Sequence, residues 1–151
     1  MMRWPLLLGL VLAASAAAQP AGTPNGVLLV AKPELADPNF RQTVVLVTQT
    51  PDASTVGVIL NRPTPLKLSQ LLPEALPGSN YADAVFFGGP VIRTAVVALF
   101  RSEAPPSAPA FPVLKGVYLS MHPENVASLL AKPGGRYRLY AGFSGWAPRQ
   151  L

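Results

Sequence analysis

The sequence predicts one α+β domain made of many short strands and a single good helix, and three observations carry that expectation. Short apolar runs rich in β-branched residues open the chain's main body at 27–31, 44–47 and 56–60, each cut off by Pro, Asp or Asn. Proline accounts for 18 of the 151 residues, well over twice the roughly 5 % of an average protein, so long helices are excluded and many turns are favoured. Only the stretch 123–134 carries helix signals at both ends. The length suits one domain with a real core.

The first eighteen residues read as a secretory signal peptide: Arg3 is the positive head, 6–14 the apolar stretch, and Ala16-Ala17-Ala18 a cleavage site before Gln19. The apolar stretch is too short to span a bilayer. The expected location is periplasmic or secreted, with cleavage after Ala18. Residues 19–25 form a flexible lead and 26–151 a single domain. The chain has no cysteine, hence no lipid attachment site of the lipoprotein kind and no disulfide framework.

The first strand, 27–31, is continuously apolar, which predicts burial on both faces. Residues 32–39 form a turn in which the Asp37 side chain caps backbone amides, and Phe40 anchors it. A strand at 44–48, a polar hairpin-like link at 50–55 and a strand at 56–60 follow. Asn61-Arg62-Pro63 ends that strand: Pro63 forces Arg62 into an extended shape, and Asn61 tolerates a left-handed one. Leu68, Leu71 and Leu72 predict one or two helical turns before Pro77-Gly78.

A strand at 84–87 runs into Gly88-Gly89-Pro90, where two glycines let backbone approach backbone or ligand. Another strand is expected at 95–100. Four prolines between 102 and 112 predict a mobile or polyproline-like loop. After a strand at 117–120 comes the helix, with Pro123 and Glu124 in its first turn, Val126, Leu129 and Leu130 as its apolar face, and Lys132, Pro133 and Gly134 closing it. The last strand, 136–141, puts Tyr137, Leu139 and Ala141 on one side and Arg136, Arg138 and Tyr140 on the other.

Several of these phrases, in this order, resemble the YqgE/AlgH family: 28–40 (LLVAKPELADPNF), 43–47 (TVVLV), 57–63 (GVILNRP), 87–91 (FGGPV) and 142–151 (GFSGWAPRQL). The similarity covers nearly all of 26–151. It implies the family's mixed β-sheet, bent into a partly closed barrel with a few short helices. It implies no established chemistry, although some members are described as candidate transcriptional regulators. Members usually carry a histidine just after the second strand, where this chain has Thr48-Gln49-Thr50. They also usually continue past the 142–151 phrase with acidic residues, a strand and a helix. The expectation is therefore a shortened or incomplete member, with an exposed sheet edge able to drive self-association.

The net charge is +5 and the pI about 10.0, yet the basic residues are scattered singly apart from Arg136 and Arg138. Nucleic-acid binding, which needs converging cations, is not expected, and export argues against a regulator. His122, the one histidine, stands at a helix start and reads as a cap, not a general base. No G-x-S-x-G elbow is present, and Ser144 reads as a Gly-flanked loop serine. No cysteine, histidine or carboxylate spacing suits a metal, and Gly88-Gly89-Pro90 matches no nucleotide loop. No catalytic residue, metal or cofactor is assigned; a small hydrolase using Arg62 and His122 is the enzyme alternative.

The candidate binding surface consists of Asp37, Asn39, Asn61, Arg62, Gly88, Gly89, Trp146 and Arg149, all expected at strand ends or tight turns. Asp37 would pair with Arg62, and Trp146 with Arg149 would offer an aromatic and cationic face. The competing reading is that the same residues lock turns. The expected role is an exported, non-enzymatic protein that binds an unidentified protein or small-molecule partner.

Overall fold

The computed structural model describes residues 22–72, 83–132 and 134–151. The expected signal peptide, the start of the lead, the Pro77-Gly78 stop and Pro133 lie outside the described residues. Among the described residues nine strands and two helices follow one another as β1 Val27–Val30, β2 Val44–Gln49, β3 Thr55–Ile59, β4 Pro63–Lys67, α1 Leu68–Leu71, β5 Ala84–Phe87, β6 Val91–Arg101, β7 Phe111–Leu114, β8 Val117–Ser120, α2 Pro123–Ala131 and β9 Tyr137–Trp146. The sheet runs β1-β2-β3-β9-β6-β8-β7, with β5 bridging β4 and β9.

β9 is the spine. Its partners are β6 (antiparallel), β5 (parallel, Val85 opposite Leu139) and β3 (antiparallel, Thr55 opposite Trp146). The sheet is thus mostly antiparallel and curls into a nearly closed barrel. The Gly26 amide donates to the Val113 carbonyl at 2.8 Å, tying the lead before β1 to β7 across the seam.

Alternation along β9 divides the interior. Leu139 and Ala141 face a cluster that α2 covers with Val126 and Leu130. Tyr140 points the other way, among Leu46, Val58, Val97, Val113 and Leu119. Burying each such aliphatic side chain stabilises the fold by about 1.5–3 kcal/mol. The Tyr140 hydroxyl has no hydrogen-bond partner among the described residues, and burial raises its pKa, a push that the nearby Arg138 opposes. A third cluster lies on the outer face of β2 and β3, where Val45, Val47 and Ile59 are covered by Phe40, Phe87 and Trp146.

The helix forms as its sequence signals predict. His122 is its N-cap, accepting the Glu124 amide on Nδ1 at 3.3 Å, and Pro123 fills the first turn. The proline-rich stretch before β7 is pinned rather than loose. Asn125 Nδ2 donates to the Ala108 and Pro109 carbonyls and to Ser120 Oγ, at 3.1, 3.1 and 2.8 Å.

Five expectations need correction. β1 is not buried on both faces: Val27, Leu28 and Val30 are 55, 57 and 72 % exposed, and among the described residues only its Leu29 packs against a core cluster. Pro63–Lys67 is a strand, since its partner β5 lies too far along the chain to be read locally. β6 starts at Val91, through an irregularity between Val91 and Val96. Pro112 sits inside β7, which ends the sheet path and so tolerates a missing donor. β9 runs on to Trp146, so Ser144 is a buried strand residue and not a loop serine.

Candidate functional site at the barrel corner

The corner is built on the turn that joins β1 to β2. The Asp37 carboxylate accepts the Asn39 amide at 2.8 Å, and the Asp37 carbonyl accepts the amides of Phe40 and Arg41. Thr43 Oγ1 closes the turn on the Phe40 carbonyl at 2.7 Å. This leaves several carbonyls pointing outward, and the end of β3 supplies their donor. Arg62 Nη1 reaches the Pro38 and Asn39 carbonyls at 3.2 and 2.6 Å, and Nη2 the Arg41 carbonyl at 3.0 Å. The fork of a guanidinium suits this task, and charged donors roughly double the strength of such bonds.

Asn61 does the same for β2. Its Oδ1 accepts the Val44 amide at 2.9 Å and its Nδ2 donates to the Gln42 carbonyl at 3.0 Å. Asn61 does not use the left-handed backbone it would tolerate; in this corner that conformation falls on Gln42, with φ 56°. Arg62 does not pair with Asp37. The turn-lock reading therefore accounts for Asp37, Asn61 and Arg62.

Gly88 and Gly89 are close-approach positions, and the approach is backbone to backbone. A Cβ on Gly88 would stand 2.2 Å from the Gly142 carbonyl oxygen, and one on Gly89 2.3 Å from that of Phe143. Ser144 Oγ donates to the Gly88 carbonyl at 3.0 Å, and the Phe87 amide to the Arg62 carbonyl at 2.8 Å, which ties this seam to the turn.

Trp146 stacks on Phe40 with ring centroids 5.7 Å apart, not on Arg149. Arg149 lies in the exposed terminal turn at φ 64° and does not join the corner. The cation–aromatic contacts lie elsewhere: Arg62 and Arg93 stand 5.9 and 5.5 Å from the Phe87 ring centroid, and Arg138, away from this corner, 4.3 Å from that of Phe86. The sequence does not single out Arg93, since no motif surrounds it and only the altered register of β6 brings it here. This convergence also corrects the expectation that cations are scattered.

The corner thus has two sides. One is cationic, with Arg62, Arg93 and Asn39 around Phe87. The other is an apolar groove of about 490 Å³ lined by Leu29, Val30, Leu35, Phe40, Trp146 and Leu151, with Lys32, Glu34 and Asp37 also at its wall. A wider, polar depression of about 680 Å³ beside α2 and β9 is walled by Asp83, Phe86, Lys132 and Arg138. There Tyr137 donates its hydroxyl to Asp83 at 2.7 Å, and burial followed by that carboxylate raises its pKa to about 12.

No three of His, Cys, Asp and Glu gather as a metal site among the described residues. His122 caps α2 while Arg62 holds the 38–41 carbonyls, so the pair a hydrolase would recruit has separate local duties.

Residues 28–151 match the AlgH-like family profile. The chain belongs to the AlgH-like family. A UPF0301 protein of Streptomyces avermitilis is 37 % identical over 131 residues, covering 84 % of this chain and 68 % of that protein. One from Rhodococcus jostii is 33 % identical over 144 residues, covering 91 and 69 %. Among solved structures, the solution structure of the AlgH protein from Pseudomonas aeruginosa superposes with a TM-score of 0.66 at 27 % identity, covering 82 % of this chain and 68 % of that one. A crystal structure from Corynebacterium diphtheriae gives 0.63 at 25 % identity, covering 89 and 70 %. These neighbours agree with the AlgH-like barrel described above.

Proposed function

We propose that this AlgH-like protein is an exported, non-enzymatic binding protein that takes an extended apolar segment of a partner protein as an added strand at the barrel seam. One observation carries the reading. The sheet path ends at β1 on one side and β7 on the other, and both ends leave large apolar side chains exposed: Val27, Leu28 and Val30 on β1, Leu114 on β7. Sheet edges are normally blunted by charge, proline or cover; β7 has Pro112 and the bond from Gly26, whereas β1, Val-Leu-Leu-Val, carries neither charge nor proline. Strand addition to such an edge takes affinity from main-chain bonds and specificity from pockets for alternate side chains. The groove beside Trp146 and Phe40 is such a pocket. Export is supported by the Arg3 head, the 6–14 apolar stretch and the Ala16–Ala18 site.

Cell fractionation with N-terminal sequencing should find protein beginning at Gln19 outside the cytoplasm; an uncleaved cytoplasmic form would overturn export. Cross-linked partner recovered with the native chain should disappear with Val30→Lys and persist with Arg149→Gln. Equal recovery from both variants would overturn the edge as the site. So would sedimentation showing a dimer that Val30→Lys dissolves with no other partner present, since the occupant would then be a second copy.

A further inference from the structure

We infer that the cationic side of the corner is a binding site for an oxyanion group, a carboxylate or a phosphate, with Arg93 as its principal donor. Two guanidinium groups converge there on one residue and one ring. Arg62 Nη1 donates to the Asn39 main-chain carbonyl at 2.6 Å, and Arg93 Nη2 to the Asn39 side-chain Oδ1 at 3.4 Å. Both flank Phe87. Among the described residues no carboxylate is a hydrogen-bond partner of either group, and the acid of the turn, Asp37, is bonded to the Asn39 amide. Like charges brought together without a counterion repel, and an oxyanion between them relieves the repulsion.

The two arginines are not equivalent. Arg62 is half-buried and its terminal nitrogens are already bonded to three carbonyls. Arg93 is exposed and makes one long bond, so most of its five N–H donors remain available in the fork that fits carboxylate and phosphate. With its Oδ1 turned to Arg93, Asn39 also presents its NH₂ as a further donor.

The backbone supports the arrangement independently. Arg93 is aimed at Phe87 by the irregular stretch of β6 between Val91 and Val96, and Ile92 beside it sits at φ 41°. A β-branched residue in that region is a genuine outlier, and such strain gathers where a side chain is held for a purpose. Irregular pairing of this kind re-aims side chains at sites. Gly142 makes room for it, since a Cβ there would lie 2.9 Å from the Val91 carbonyl oxygen and 3.1 Å from the Arg93 Cα.

The test is titration of the full chain with inorganic phosphate and, separately, with acetate, followed by the amide resonances of Asn39, Phe87 and Arg93. At least one anion should saturate, with Kd on the order of 1 mM for a single group. Arg93→Gln should weaken it about tenfold or more, Arg93→Lys less, and Arg149→Gln, outside the corner, not at all. Saturation by phosphate alone assigns a phosphate ligand, and by acetate alone a carboxylate one. Shifts that never saturate, or that are the same in Arg93→Gln, overturn the site. Unchanged resonances far from the corner confirm that the variant is folded.

Discussion

β1 and β2 are nearly the same peptide, Val-Leu-Leu-Val against Val-Val-Leu-Val, and they meet opposite fates. In β2, Val45, Leu46 and Val47 are each about 4–5 % exposed, with β1 on one edge and β3 on the other. One face of β2 looks into the barrel, and the other is covered by Phe40 and Trp146. β1 presents the same two apolar faces, but among the described residues it has one neighbour and little cover. An uninterrupted apolar run therefore reports that both faces are fit for burial; neighbours elsewhere in the chain decide whether burial happens. The exposed member of the pair is the one on which the proposed strand addition rests.

The largest expected effect follows from that contrast. Leu46→Ala removes a side chain packed in the barrel interior and should lower stability by about 2–5 kcal/mol. Leu28→Ala, one strand over and opposite Leu46 in register, should cost under about 1 kcal/mol, since Leu28 is 57 % exposed. Urea midpoints at equal m-value measure the difference. Equal losses would mean that something covers β1 in solution, and the comparison would fail.

Much of this was legible locally. The strand at 84–87, the strand at 117–120, the His122-capped helix and the alternation of Leu139 against Tyr140 all follow from short-range pattern. The corner was half legible. Asp37, Asn61 and Arg62 sit in turn-forming phrases, but Arg62 bonds carbonyls rather than Asp37, a choice fixed by where a hairpin 21–24 residues away places its main chain. Arg93 was illegible, because only the irregular pairing of β6 with β9 aims it. Pro63–Lys67 was illegible for the same reason: its strand character comes from β5.

Arg62 gives the second prediction, of intermediate size. It is the clamp that keeps the β1–β2 connection folded against β3. Arg62→Ala leaves the carbonyls of Pro38, Asn39 and Arg41 without their donor, and the partial exposure of the site lets water replace some of the loss. A cost of about 1.5–3 kcal/mol is expected. Amide exchange should quicken in 31–43 well before it quickens in β9. Uniform acceleration across the chain would show that the clamp acts on the whole barrel, and the distinction between the weak edge and the firm spine would go.

The smallest effect concerns the link on β2's other side, which gives β2 the second neighbour that β1 lacks. Asp52 accepts from the Thr50 hydroxyl, the Ser54 amide at 3.3 Å and the Ser54 hydroxyl at 3.1 Å. The Thr50 bond, followed by those from Ser54, lowers its pKa below the ordinary value of 3.8. A carboxyl whose folded pKa is depressed stabilises the fold above its unfolded pKa, and that contribution fades as pH falls through the folded value. Acidification below about pH 4 should therefore loosen the 50–54 turn, read as lower protection of the Ala53 and Ser54 amides relative to their intrinsic exchange rates at each pH. Asp52→Asn should abolish this pH dependence while leaving exchange in 31–43 untouched, because that connection hangs on Arg62. If the β1 side responds equally, the two links of β2 are one cooperative unit, and the different fates of β1 and β2 must be sought in side-chain cover alone.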